Sequence, residues 1–197
     1  VYTLLLTDGA LGGSATGAIE TLRISGDQYV IFDYADATLG SGFTTIDAWL
    51  NMAGVGIGLT GADGVSVTGT YQADTFQLGT TAMAVDAPVF STIENVGAGD
   101  RLVLTFASND LAGFVADALD VTTASGSVEG AITAALSQMI DPDDGGSAGW
   151  FVYEGNTYVV AAESADEDMY SAIELTGVWD LTDSLVAEDP SMITLEF

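Results

Sequence analysis

The chain has 197 residues, 48% of them hydrophobic, and its two basic residues, Arg23 and Arg101, stand against 29 Asp and Glu for a formal charge of −27. Two arginines cannot displace the counterions of a nucleic acid, and an anionic membrane surface repels so acidic a chain. With no Lys, His or Cys, Schiff-base and P-loop lysine chemistry, zinc and haem ligation, thiol chemistry and Ser-His catalysis lack their residues.

The apolar fraction is too high for disorder, so the chain is expected to fold, at a length that suits one domain. Its self-repulsion then needs an offset, and hard carboxylate and carbonyl oxygens suit calcium. A cysteine-free chain rich in Gly, Thr, Asp and Ala fits a bacterial extracellular protein better than a disulfide-built one. There is no apolar run of membrane-spanning length and no basic n-region, so neither membrane insertion nor a cleavable signal is expected. Val1 in place of Met reads as a processed chain, a fragment or part of a longer one.

In chain order, Val1 to Thr7, Ile19 to Ile24 and Tyr29 to Tyr34 read as strands, parted by Gly-Gly-Ser and Ser-Gly-Asp turns. Phe43-Thr44-Thr45-Ile46-Asp47 is answered 47 residues later by Phe90-Ser91-Thr92-Ile93-Glu94, and Ala35-Asp36 is answered by Ala73-Asp74. Two stacked supersecondary units produce such an echo, and so does chance in a Thr-, Asp- and Gly-rich chain. Thr75-Phe76-Gln77-Leu78 and Leu102-Val103-Leu104 are short strands bounded by Gly and carboxylates.

After residue 107 the texture changes. Ser108-Asn109-Asp110 reads as a helix start, with Leu111, Phe114, Val115 and Leu119 on one face. Val128, Ala131, Ile132, Ala135, Leu136, Met139 and Ile140 recur at helical spacing until Pro142. Trp150 to Tyr153 and Thr157 to Val160 form a hairpin about Glu154-Gly155-Asn156, Ser171 to Leu175 is a strand, and Met192 to Phe197 closes the sheet. The expected fold is mainly β with a few helices, either a β-sandwich or irregular β-roll-like sheets. Its two helices lie in the 108–140 region, with a soft boundary between a β-rich part (1–107) and an α+β part (108–197).

Gly61-Ala62-Asp63-Gly64-Val65 matches half of the glycine-rich calcium nonapeptide, and Gln72-Ala73-Asp74-Thr75-Phe76 is a weaker version. Each reads either as a calcium turn or as an Asp turn solvated by water. Asp100 is either a ligand or the partner of Arg101. Six carboxylates at turns and strand ends are the candidate calcium ligands: Asp36, Asp47, Asp63, Asp74, Glu94 and Asp100. The Asp141–Gly146 loop starts like an EF-hand but has Val152 where the bidentate Glu belongs. A carboxylate pair for glycoside hydrolysis is the one enzyme chemistry the inventory permits, and 29 acids make such spacings meaningless, so no enzyme is expected. Trp49, Trp150, Tyr153, Tyr158 and Trp179 read as core or sheet-face residues, with sugar stacking as the other reading.

The ordered set Thr68-Gly69-Thr70 with Ala73-Asp74-Thr75-Phe76 and Leu78-Gly79, then Thr92-Ile93 and Gly99-Asp100 with Leu102 and Leu104, then Tyr153 with Gly155-Asn156-Thr157-Tyr158-Val159-Val160, then Leu175-Thr176-Gly177 with Asp180-Leu181, resembles the C-terminal region of type I-secreted bacterial proteins, among them S-layer proteins and repeats-in-toxin relatives. The resemblance covers residues 67–197. It implies export directed by an uncleaved C-terminal end, location outside the cell or on its surface, and calcium-dependent folding. The chain departs from the family in lacking tandem glycine-rich repeats. The expected function is a structural subunit that assembles with copies of itself into a surface layer or filament stabilised by calcium, with cell-surface polysaccharide as a further partner. The alternative is the secretion and calcium-folding module of a larger exported hydrolase or adhesin.

Overall fold

The fold is that of a computed structural model, which describes residues 2–7, 20–33, 43–60, 64–79, 81–82, 90–106, 111–122, 126–139, 146–162, 169–189 and 192–197. The chain winds between two sheets. β1 (Tyr2–Thr7) and β2 (Thr21–Gly26) lie in the first sheet and β3 (Val30–Asp33) in the second. β4 (Thr45–Asn51) returns to the first, β5 (Val55–Gly58) to the second, β6 (Ser66–Thr68) to the first and β7 (Thr75–Gly79) to the second. After the short β8 (Thr81–Ala82), β9 (Ser91–Glu94) and β10 (Arg101–Thr105) repeat the alternation.

Within each sheet the successive strands are parallel: β2 to β4 to β6 to β9, and β3 to β5 to β7 to β10. One visit to each sheet is therefore one coil, and four coils stack on one another. The β-roll-like expectation describes this part of the chain, and the stacking explains the sequence echo. Ile46 and Ile93 stand in one register column with Val67 between them, so the visible repeat spans two coils. The middle coil carries Ser66-Val67-Thr68 at the same level and hides the true period.

Period-two alternation supplies the core. Leu22, Ile46, Val67, Ile93 and Leu175 form a buried column in the first sheet. Phe32, Ile57, Phe76, Leu102 and Leu195 form its counterpart in the second, and the two columns meet in one apolar cluster. Fully burying such an apolar side chain stabilises the fold by roughly 1.5–3 kcal/mol before entropy is counted.

The rest of the chain extends both sheets. β11 (Leu111–Phe114) is followed by α1 (Val128–Met139), β12 (Gly146–Tyr153), β13 (Asn156–Ala162), β14 (Met169–Leu175), β15 (Leu185–Asp189) and β16 (Met192–Glu196). β14 adds to β9 in parallel, β13 and β12 follow as antiparallel neighbours, and β8 pairs with the start of β14. In the second sheet β16 covers β10 antiparallel, and β15 lies outside it. The β12–β13 hairpin turns at Glu154 (φ 48°) and Gly155 (φ 88°), the two left-handed residues its twist requires.

α1 begins at Ser127, whose Oγ accepts the Gly130 N–H at 3.2 Å, with Glu129 in the first turn. Its buried stripe Ala131, Ile132, Ala135, Leu136 and Met139 packs with Phe151, Tyr158, Val160 and Tyr170. β13 is thus covered on both faces, which is why Tyr158 to Ala162 reads as an unbroken apolar run. Only one of the two expected helices is found among the described residues. Leu111 to Phe114 form β11, parallel to β12, and Gly113 sits at φ 116°, outside helical space. A short apolar run fits either period, and pairing with β12 decides it.

Candidate functional site

The four corners that lead from the first sheet to the second come in two sizes. Two hold three residues, 27–29 and 52–54, and two hold six, 69–74 and 95–100. Each long corner ends on an aspartate, Asp74 or Asp100, and these two side chains are 1% and 2% exposed.

The two carboxylates do the same work one coil apart. Oδ1 of Asp74 accepts the Val55 N–H of the preceding coil at 2.9 Å, and Oδ1 of Asp100 accepts the Asp74 N–H of its preceding coil at 2.8 Å. Oδ2 closes the residue's own corner. That of Asp74 accepts the Thr70 N–H at 2.6 Å, and that of Asp100 accepts the Gly97 N–H at 2.8 Å. Thr70 Oγ1 donates a further bond to Asp74 Oδ1 at 2.8 Å. The long corners expose backbone amides to an apolar interior, where an unmet donor costs about 1–3 kcal/mol, and each aspartate meets two.

Neighbouring residues are fitted to this ladder. Gly54 sits at φ +82°, and a Cβ there would fall 2.4 Å from the Ala73 carbonyl oxygen. A Cβ on Gly69 would lie 2.9 Å from Asp74 Oδ2. Asn95 takes a left-handed φ of 62°, which Asn tolerates, and its amide donates to the carbonyls of Gly69 and Thr70. The 95–100 corner is thereby tied to the backbone of the 69–74 corner by two of its own side chains, Asn95 and Asp100.

Burial pushes the Asp100 carboxyl up to about 6, with the N–H groups of Asp74 and Gly97 pulling down and the Asp74 charge pushing up. Desolvation outweighs two backbone donors because the carboxylate has almost no contact with water.

The other candidate ligands lie elsewhere. Asp47 sits on the outer face of β4, where its Oδ2 accepts from Arg23 Nε at 2.9 Å and its Oδ1 from the Trp49 N–H at 3.3 Å. Glu94 is exposed at the end of β9, in the same register column but with Thr68 between. That places Glu94 and Asp47 two strand spacings apart, about 10 Å. Asp36 and Asp63 lie outside the described residues. Among the described residues no three carboxylates converge on one point. Arg101, adjacent to Asp100, pairs instead with Glu196 across β10 and β16, Nη2 to Oε2 at 2.7 Å. Both cations of the chain are thus held in partly exposed ion pairs between neighbouring strands.

A second polar network fastens the 176–179 turn. Glu174 accepts from Asn156 Nδ2 at 2.6 Å and from the Tyr158 hydroxyl at 3.1 Å. Asn156 Oδ1 accepts the Gly177 N–H, and Thr157 Oγ1 accepts the Trp179 N–H. Burial, with the Glu174 charge beside it, holds the Tyr158 hydroxyl above its usual range. Trp150 and Tyr158 are core residues, and the Trp150 indole N–H donates to the Ala116 carbonyl at 2.9 Å. Trp49 is different: it lies at the surface with its ring centroid 4.1 Å from that of Tyr71. Tyr71 and Thr70 are not among the candidate ligands the sequence offers, where the six-residue spacing from strand end to Asp is the signal that marks their corner.

Stacked coils with a carboxylate closing each long corner define a short, two-sheet parallel β-solenoid that continues into antiparallel strands and one helix. Comparison with protein-family models and with curated proteins yields no match.

Proposed function

We propose that the chain is a structural subunit of a bacterial cell surface or extracellular filament, exported by a type I route, that assembles with its own copies when calcium is present. The observation that carries this reading is the charge balance. Both arginines are held in ion pairs within the chain, so no cation of its own remains to neutralise the other 27 carboxylates as like-charged copies approach. Divalent cations serve that purpose, because carboxylate oxygens from two surfaces suit calcium. The ion is assigned to exposed carboxylates such as Glu94, since every oxygen of Asp74 and Asp100 already holds a hydrogen-bond donor. The stacked fold supports the same reading, as a body built by repetition suits extended assembly.

The test is sedimentation and thermal melting with about millimolar calcium and again with excess EDTA. Assemblies that dissolve and a melting temperature that falls on chelation are expected. Identical profiles in both conditions would overturn the proposal.

A further inference from the structure

Two aromatic side chains of neighbouring coils stand together at the surface. Trp49 and Tyr71 are 39% and 69% exposed, with ring centroids 4.1 Å apart. The backbone aims both. In β4 the register against β2 slips between Arg23 and Ser25, so that Ala48 and Trp49 together face Ile24. The bulge turns Trp49 and Leu50 both outward, where strict alternation would bury one, and bulges commonly re-aim a side chain beside a functional site. Tyr71 rides on the 69–74 corner, which Asp74 closes from within. Thr70 Oγ1 donates to that buried carboxylate at 2.8 Å and accepts the Gln72 N–H at 2.9 Å. Both chain neighbours of Tyr71 are thereby held, which lowers the entropy lost when a ligand settles on the rings.

Polar groups border the rings. Asp47, two residues before Trp49, accepts the Trp49 N–H with Oδ1 at 3.3 Å and pairs through Oδ2 with Arg23 Nε at 2.9 Å. Thr68 stands beside Asp47 in the register of the next coil, and Gln72 is exposed next to Tyr71. Arg23 cancels the charge of Asp47, so this border offers neither an anion nor a cation a net partner. A quaternary ammonium would meet the guanidinium, and a phosphate or sulfate would meet Asp47 in a chain of −27. An uncharged ligand with an apolar face and hydroxyls at its rim meets neither penalty. Its face lies on the rings while its hydroxyls bond to the carboxylate, the guanidinium and the amide. A pyranose with equatorial hydroxyls has that shape, because its axial C–H groups form one flat apolar side. Equatorial linkages keep a chain of such sugars straight. Residues two apart on a strand are separated by about 7 Å, so a short oligosaccharide reaches from Trp49 to Asp47.

We propose that Trp49 and Tyr71, bordered by Asp47 and Arg23, bind a neutral polysaccharide of equatorially linked, gluco-configured sugars. The rings stack on the flat side of a sugar, and the ion pair takes its hydroxyls. The inference goes beyond the assembly reading above and does not depend on it. Because the ligand is uncharged, its affinity changes little with salt, where that of a cation would fall.

The experiment is calorimetric titration of the full chain in EDTA with cellohexaose and chitohexaose, up to about 1 mM, at about 0.1 and 0.5 M NaCl. Tetramethylammonium chloride is the charged probe. Val186→Ala, an exposed site on the far edge of the second sheet, is the control variant. Expected is binding of at least one oligosaccharide by the wild type and the control, nearly unchanged by salt. Trp49→Ala and Tyr71→Ala should each lose about tenfold or more in association constant with unchanged melting temperatures, and Tyr71→Phe, which keeps the stacking face, should bind like the wild type. A wild type that binds neither sugar overturns the proposal. So does sugar binding that survives both alanine substitutions, or tetramethylammonium bound more tightly than either sugar. Sedimentation of the same samples with calcium reads assembly separately, so failure of either reading leaves the other standing.

Discussion

The main-chain N–H of Asp74 points at the carboxylate of Asp100, 2.8 Å away and one coil further along the stack. The Val55 N–H, in the coil behind, points in the same way at the carboxylate of Asp74. The buried charges therefore act as rivets between coils, each holding an amide that the corner would otherwise leave unpaired.

Asp74→Ala leaves the Val55 and Thr70 amides buried without an acceptor. The expected loss is about 3–5 kcal/mol, read as a lower urea midpoint. Asp74→Asn keeps the shape but presents an NH₂ where one oxygen accepted, and it should fall between the wild type and the alanine variant. Equal stability for all three would show that the ladder contributes nothing.

Stability should rise as pH falls from 7.5 toward 5. The Asp100 carboxyl is raised from 3.8 to about 6 in the fold, so between those values the folded chain keeps a proton that the unfolded chain releases. The stabilisation from this group is complete below the unfolded value and is lost as pH rises through about 6. It amounts to at most about 3 kcal/mol. Urea midpoints at pH 5 and 7.5 read it directly, and Asp100→Asn should shrink the difference. A wild-type midpoint that falls on acidification contradicts the assignment.

Gly54→Ala combines a left-handed backbone with a contact of 2.4 Å to the Ala73 carbonyl oxygen. Because that atom is backbone, the corner itself must move. A loss of about 2–4 kcal/mol is expected, against less than about 1 kcal/mol for Gly97→Ala, where the added methyl meets nothing. Comparable melting temperatures for the two would refute the fit described for Gly54.

Arg101→Gln removes an exposed ion pair with Glu196. The loss should stay below about 1 kcal/mol and shrink further in about 0.5 M NaCl. A larger, salt-independent drop in urea midpoint would mean that the pair holds β16 in place.

Much of this architecture can be read locally. The 3.6-residue spacing from Val128 to Met139 marks α1, Glu154-Gly155 marks the hairpin, and the alternation in Thr75-Phe76-Gln77-Leu78 marks the inward face of β7. Parallel pairing is not local. It joins residues a coil apart, and the unequal corners blur the period until only Ile46 and Ile93 still echo each other. Asp74 and Asp100 stand out in the sequence as turn carboxylates. What their oxygens meet depends on amides delivered by another coil, such as Val55, 19 residues before Asp74. Trp49 reads as core or sheet-face alike, because nothing in the sequence announces the bulge that turns it out.

The second sheet is finished by residues that come last. β16 lies on β10, pairing Leu195 with Leu102 and Ile193 with Leu104, and Phe197 exchanges hydrogen bonds with Gly99 and Asp100 beneath it. The final half-dozen residues thus serve as a lid, and the coils cannot shed water from that end until the lid arrives. Until that pairing forms, the edge of β10 stays open: a nick ahead of Leu185 would leave the body assembled and its roof missing.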